Sequence, residues 1–225
     1  MRKYLFLLCG VVAILGVVIS SCSKSMPELE HEYPPFRALV DSFYLSGGER
    51  IPLQRMDNKF YIWFYSDDKC RIKNELTDVG AKIDYAGNWR CHSFLINDTI
   101  NKTGTVVKHP KMWAVIKGDN EQVIPILATT IYYAPFFKTE SGSKISPTEL
   151  FTVVLRHGTT LAQLEGLAKE NSVEIIGRDR HAANRYHLFC TNHSRGNALQ
   201  MANLFFESGL FEDAFPDFIA YIKFD

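Results

Sequence analysis

Three kinds of side chain in this sequence could do chemistry: histidines, cysteines and clustered aromatics. His157 precedes Gly158 and Thr159. An imidazole acts as general base in acyl transfer only when a carboxylate orients it and a nucleophile lies within hydrogen-bond reach. Here the tripeptide falls between a strand-like run and a helix-like run, where a glycine and a capping threonine account for it. His181, His187 and His193 recur at six-residue intervals but straddle a strand and two loops. The spacing does not converge them on a metal, so they read as scattered surface histidines and no metal site is expected. Tyr132, Tyr133, Phe136 and Phe137 surround Pro135 and could stack on a ligand; sheet core is the commoner use of such a cluster. No cofactor or small-molecule ligand is expected.

The cysteines divide by position. Met1-Arg2-Lys3 and the apolar run Tyr4 to Ile19 have the layout of a secretory leader, with a core short for a membrane span. Ile19-Ser20-Ser21-Cys22 then reads as a lipobox, in which Cys22 is acylated and becomes the mature N-terminus. Lipid there would hold the protein at the envelope, on the periplasmic or cell-surface face of the outer membrane, because each buried methylene contributes about 0.8 kcal/mol. Residues 22–40, with Pro27, Pro34 and Pro35, read as a tether after a signal peptide over 1–21. Cys70, Cys91 and Cys190 remain, without a Cys-x-x-Cys pair that would support zinc. A Cys70–Cys91 disulfide and buried free thiols are both compatible with the sequence, the latter being commoner. Asn101-Lys102-Thr103 is a formal glycosylation acceptor without meaning in a bacterial lipoprotein.

The elements that must position these groups are clearest over 149–225. Leu150 to Arg156 is a β-branched and aromatic run that stops at His157-Gly158. Thr160 with Gln163 forms a capping box, followed by Leu161, Leu164, Leu167 and Ala168 along a helix that Asn171 is expected to end in the left-handed conformation. Ser172 to Arg178 and Arg185 to Thr191 resume strand composition. Ser194 is expected to cap a second helix with Ala198, Met201, Ala202 and Phe205 on one stripe and Gly209 at its end; a last strand is expected over Asp217 to Phe224. Strand–helix–strand–strand–helix–strand in this order predicts a ferredoxin-like sandwich.

Residues 41–138 predict a degenerate copy. Lys59 to Ser66 is a strand, Asp67 or Asp68 can cap a helix carrying Ile72, Leu76 and Val79, and Ala81 to Tyr85 is expected to pair with Trp89 to Asn97. Lys111 to Ile116 reads as helix or strand, Ile124 to Phe137 as one long strand, and 139–148 as a linker. The predicted class is α+β: tandem ferredoxin-like sandwiches, each an antiparallel sheet with helices on one face.

Leu150 to Leu155, Leu199 to Glu212, Pro216-Asp217-Phe218 and the hairpin-like Ser42 to Leu53 resemble the N-terminal, propeptide-like region of subtilisin-like serine proteases from Bacteroidetes. The resemblance covers nearly all of 41–225, but the chain stops where the protease domain should begin. His157-Gly158-Thr159 matches a short signature of that protease domain, but neither Asp-Ser-Gly nor Asp-Thr-Gly nor Gly-Thr-Ser accompanies it. The resemblance implies a non-catalytic module that docks on a subtilisin-like protease as chaperone or inhibitor, its tail Tyr221 to Asp225 lying in the substrate cleft. The rival readings are a structural or adhesive lipoprotein and a truncated protease gene product.

Lys plus Arg equals Asp plus Glu at 25 each, a balance without the basic footprint of nucleic-acid binding. Strand alternation places Phe151, Val153, Leu155, Tyr186, Leu188 and Cys190 beneath the C-terminal helices. The opposite face then carries Thr152, Arg156, Glu174 and His187 around an apolar set, Val154, Ile176, Phe189 and Tyr221. A monomer rarely leaves such a cluster in water, so something should cover it: either the first module, making one fused core, or an external partner, for which that set is the candidate binding surface.

Overall fold

A computed structural model describes residues 43–87, 99–100, 106–107 and 111–220. Phe43–Ser46 (β1) and Glu49–Pro52 (β2) form the opening hairpin. Its turn, Gly47-Gly48, has φ of 57° and 84°, the left-handed pair that a tight two-residue hairpin needs and glycine supplies without strain.

Gln54–Tyr65 (β3), Lys69–Asp78 (α1), Lys82–Gly87 (β4), the two-residue strands Thr99–Ile100 (β5) and Val106–Val107 (β6), Lys111–Lys117 (β7), Asn120–Leu127 (α2) and Tyr132–Lys138 (β8) follow. Lys144–Leu155 (β9), Leu161–Glu170 (α3), Glu174–Arg178 (β10), Arg185–Phe189 (β11), Ala198–Glu207 (α4) and Phe211–Ala220 (β12) complete the described chain. The class is α+β, with an eight-stranded sheet in the order β10-β11-β9-β8-β3-β7-β4 and β12 on β9. All its pairings are antiparallel.

Several elements depart from their sequence reading. The segment read as a linker, 139–148, is a turn over 139–143 followed by the start of β9, which pairs Phe137 with Ile145 and Lys138 with Lys144. The supposed long strand from Ile124 is helix α2 followed by β8. Asp119 accepts from the Glu121 amide at 3.0 Å and starts that helix, although Pro125 and the branched Val123, Ile124 and Ile126 disguise it as strand. Lys111 to Ile116 is strand, and β4 pairs with β7; Trp89 to Asn97 lies outside the described residues. Neither Asp67 nor Asp68 caps α1 through its side chain, and Asp68 instead accepts from Arg71. Asn197, not Ser194, caps α4 in a box with Gln200. Strand β12 starts six residues before its expected beginning, its acidic residues having concealed the alternation.

The way β9 is shared shapes the molecule. Strand β12 runs along its whole length, from Leu155 to Ile145. A strand has two edges, so β8, at the start of β9, and β11, from Leu150 onward, must both use the other one. The sheet therefore forks at residues 146–149. Opposite the fork, Pro216 faces Phe151 and Phe218 faces Pro147, so Asp217 alone spans Thr148, Glu149 and Leu150 of β9. Extra residues on one strand bend it and redirect its side chains.

Two cores result. Phe60, Ile62 and Phe64 of β3 pack with Ile72 and Leu76 of α1 and Val123 and Leu127 of α2. The alternate residues Tyr61 and Trp63 join Tyr132 and Phe136 in a second cluster containing Phe151, Val153, Leu188, Leu164 of α3 and Phe205 of α4. Both faces of β3 are thus buried from Phe60 to Phe64, which explains why that stretch is apolar without alternation. Phe205 ties the second cluster together, with its ring 5.1 Å from Phe151 and 5.4 Å from Phe211.

Candidate functional site

The strand register fixes what the C-terminal sheet presents away from α3 and α4. Phe215, Thr152 and His187 form one row across β12, β9 and β11, and Asp213, Val154 and Arg185 form the next. Leu150, Phe189 and Glu174 form a third row toward the fork. Cross-strand partners share a face, so these rows lie together on the side of the sheet away from α3 and α4.

The four residues predicted for a partner face have different fates. Val154 is half-buried on the second row. Ile176 falls at the β-bulge between Ile175 and Gly177 and packs, half-buried, against the second core, so it leaves the row that simple alternation assigned to it. Phe189 is 7% exposed, and its ring meets Trp63 edge-on at 5.3 Å. The N-terminal half therefore covers the inner end of this face. Tyr221, the tail to Asp225 and the lipidation residue Cys22 lie outside the described residues. Phe215, missed in the sequence because the strand was expected to begin at Asp217, stands 36% exposed on the outer row.

A polar group sits among these rows. Thr152 Oγ1 lies 3.0 Å from His187 Nδ1, while His187 Nε2 is 3.4 Å from Asp179 Oδ2. Asp179 also accepts from the His181 amide at 2.6 Å, and this bond leads the causes holding its carboxyl below the usual range, with the charges of Arg185 and His187 adding to it. A hydroxyl, an imidazole and a carboxylate in series resemble an activated nucleophile. Thr152 and His187 lie directly opposite each other in the β9–β11 ladder, on a broad sheet face rather than in a cleft.

His157 lies in the turn that joins β9 to α3. Gly158 has φ of 90°, Thr159 Oγ1 donates to the Leu210 carbonyl at 2.7 Å, and Thr160 caps α3 with Gln163. The thiols of Cys70 and Cys190 are free, the first exposed and the second buried; Cys91 lies outside the described residues. Among the described residues no group of three potential metal ligands forms, and no helix is long and apolar enough to cross a membrane. Tyr132, Tyr133, Phe136 and Phe137 are buried in β8. Tyr132 joins the halves, its hydroxyl accepting from the Ala198 amide at 3.2 Å.

A second polar group lies at the fork. Glu149 is completely buried, Oε2 accepts from the Tyr61 hydroxyl at 3.1 Å, and Oε1 has no hydrogen-bond partner among the described residues. Burial pushes its carboxyl up to about 7, against the smaller opposing effects of a hydrogen bond from its own backbone amide and of the Tyr61 bond. Burial likewise raises the Tyr132 phenol and the Cys190 thiol.

No family model matches the chain, and no curated protein does. A solved structure, the small subunit of acetolactate synthase from Thermotoga maritima, is 10% identical, covers 74% of this chain and 98% of its own, and superimposes with a TM-score of 0.24.

Proposed function

We propose that the protein is a non-catalytic binding module, lipid-anchored in the cell envelope through Cys22, that docks on a subtilisin-like serine protease as chaperone or inhibitor. Its halves are read as tandem ferredoxin-like sandwiches: β3-α1-β4-β7-α2-β8 and β9-α3-β10-β11-α4-β12 repeat one element order, and their strand orders, β4-β7-β3-β8 and β10-β11-β9-β12, correspond. The observation that carries the reading is the outer part of the open face. Phe215 stands exposed beside Thr152 and His187, with Val154, Asp213 and Arg185 in the adjoining row. An aromatic anchor among hydrogen-bonding and charged groups suits a protein partner. Phe189 and Ile176 drop out of the docking surface, and Phe215 enters it.

The test uses purified full-length chain in detergent and a subtilisin-like catalytic domain from the same envelope. The chain is expected to slow peptide hydrolysis by that domain, and Phe215→Asp and Val154→Asp should each weaken the effect at least tenfold with the fold intact. Undiminished affinity in both variants would overturn the reading. The second reading, a structural or adhesive lipoprotein, is favoured by the contact of Phe189 with Trp63, where the chain's own N-terminal half occupies part of the face. It predicts no effect on the protease at any concentration.

A further inference from the structure

We propose that Glu149 is a proton-operated latch between the two halves, closed while its carboxyl is protonated and loosened when it ionises. The geometry sets it at the fork of β9, where β8 leaves and β11 joins, on the stretch that Asp217 alone spans across the ladder. Its backbone carbonyl accepts from the Cys190 amide at 2.8 Å, which ties the fork to the end of β11. The side chain enters the core, where Tyr61 of β3 donates to Oε2, the Glu149 backbone amide adds a second favourable contact, and Oε1 has no hydrogen-bond partner among the described residues. A neutral acid fits this buried site better than a carboxylate with one oxygen unpartnered.

The surrounding groups come from every element packed on it. The Glu149 backbone amide, Tyr61 from β3 and the charge of Lys111 from β7 favour the carboxylate, and Asp217 from β12 opposes it. Tyr132 from β8 and Cys190 beyond β11 are both raised in part by the Glu149 charge. None of these groups is a histidine, so ionisation at neutral pH falls on Glu149 itself. The folded carboxyl titrates near 7 against an ordinary 4.5. Its stabilising effect is therefore complete below the lower value and is lost as pH rises through the higher one.

Cys190 offers a built-in reporter, because its thiol is buried against this junction. Labelling of Cys190 in the full chain by a pyridyl disulfide, read by peptide mass spectrometry, follows opening of the fork. Comparison with Glu149→Gln at each pH cancels the reagent's own pH dependence. The wild-type to variant rate ratio is expected to rise on the order of a hundredfold between about pH 5 and 7.5 and then level off. A ratio that stays flat over that range overturns the latch. Should Glu149→Gln fail to fold, the side-chain carboxyl carbon of Glu149 in the wild-type chain can be titrated by nuclear magnetic resonance. A midpoint near 7 supports the proposal, and one at about 5 or below overturns it.

Discussion

The ring of Phe189 stands edge-on to the indole of Trp63, centroids 5.3 Å apart at an interplanar angle of 67°. One ring ends β11 of the C-terminal half, and the other lies in β3 of the N-terminal half. Their contact closes the inner end of a sheet face for which the sequence allowed two covers, the N-terminal half or an external partner. Phe189→Ala should therefore behave as a core truncation and cost about 3–5 kcal/mol. Chemical denaturation measures this, and a loss below about 1 kcal/mol would place Phe189 on the surface after all.

A buried amide attaches the opening hairpin to helix α4. Asn203 Oδ1 accepts from the Leu45 amide at 3.2 Å, and its Nδ2 donates to the Phe43 carbonyl at 3.1 Å. The side chain thus satisfies one donor and one acceptor of β1. Tyr44 stacks edge-on with Phe218 at 5.3 Å, and Arg50 pairs with Glu207 at the exposed rim. Asn203→Leu leaves the buried Leu45 amide without its partner, a loss of about 1–3 kcal/mol, and the half-buried Phe43 carbonyl without its own. Amide exchange at Leu45 is expected to accelerate while exchange at Leu188 in β11 stays protected. Equal acceleration at both sites would mean that the hairpin is not a separately released element.

How legible this arrangement was depended on how local its cause is. The Thr160–Gln163 capping box was readable because donor and acceptor lie within one turn, whereas the left-handed stop expected at Asn171, which has φ of -101°, falls instead at Ser172, with φ of 53°. The face beneath the C-terminal helices was readable from alternation, and Phe151, Val153, Leu155 and Leu188 do lie in that core. Helix α2 was missed because its residues favour strand and its start depends on Asp119 alone. The fork of β9 was invisible, since it arises from which strands claim its edge, a long-range choice no window of sequence records. Glu149 was missed for the same reason: a glutamate in a strand usually points to water. The docking face was half legible, because the row containing Val154 follows from alternation whereas the bulge at Ile176 and the true start of β12 do not.

Two capping residues with similar chemistry should give different responses. Asn197 accepts from the Gln200 amide at 3.2 Å and caps α4, so Asn197→Ala should cost about 1 kcal/mol through the helix end. Ser194 instead donates to the Ser172 carbonyl at 2.7 Å and accepts from the Thr191 amide at 3.0 Å. It braces the loop between β11 and α4 against the turn after α3, where Ser172 holds φ of 53°. With Ser194→Ala, amide exchange is expected to quicken at Thr191, whereas with Asn197→Ala it should quicken at Gln200. The reverse pattern would restore Ser194 as the cap.

Two glycines test the packing in opposite directions. A β-carbon on Gly118, between β7 and α2, would stand 2.7 Å from Val123 Cγ2 and 2.8 Å from Ala81 Cβ. Val123 is fully buried, and Ala81 begins the approach to β4, so neither neighbour is the free end of a long side chain. Backbone or core must shift, and Gly118→Ala should destabilise the protein by about 1–3 kcal/mol. Gly166, by contrast, lies inside α3, and a β-carbon there meets nothing within 4 Å. Alanine loses less conformational freedom than glycine on entering a helix, so Gly166→Ala should stabilise by about 0.5–1 kcal/mol. Thermal melts of the two single variants under one buffer read the signs directly. A neutral Gly118→Ala would show that α2 is not held against the β7–β4 edge as closely as this contact requires. A destabilising Gly166→Ala would show that the outer side of α3 is covered.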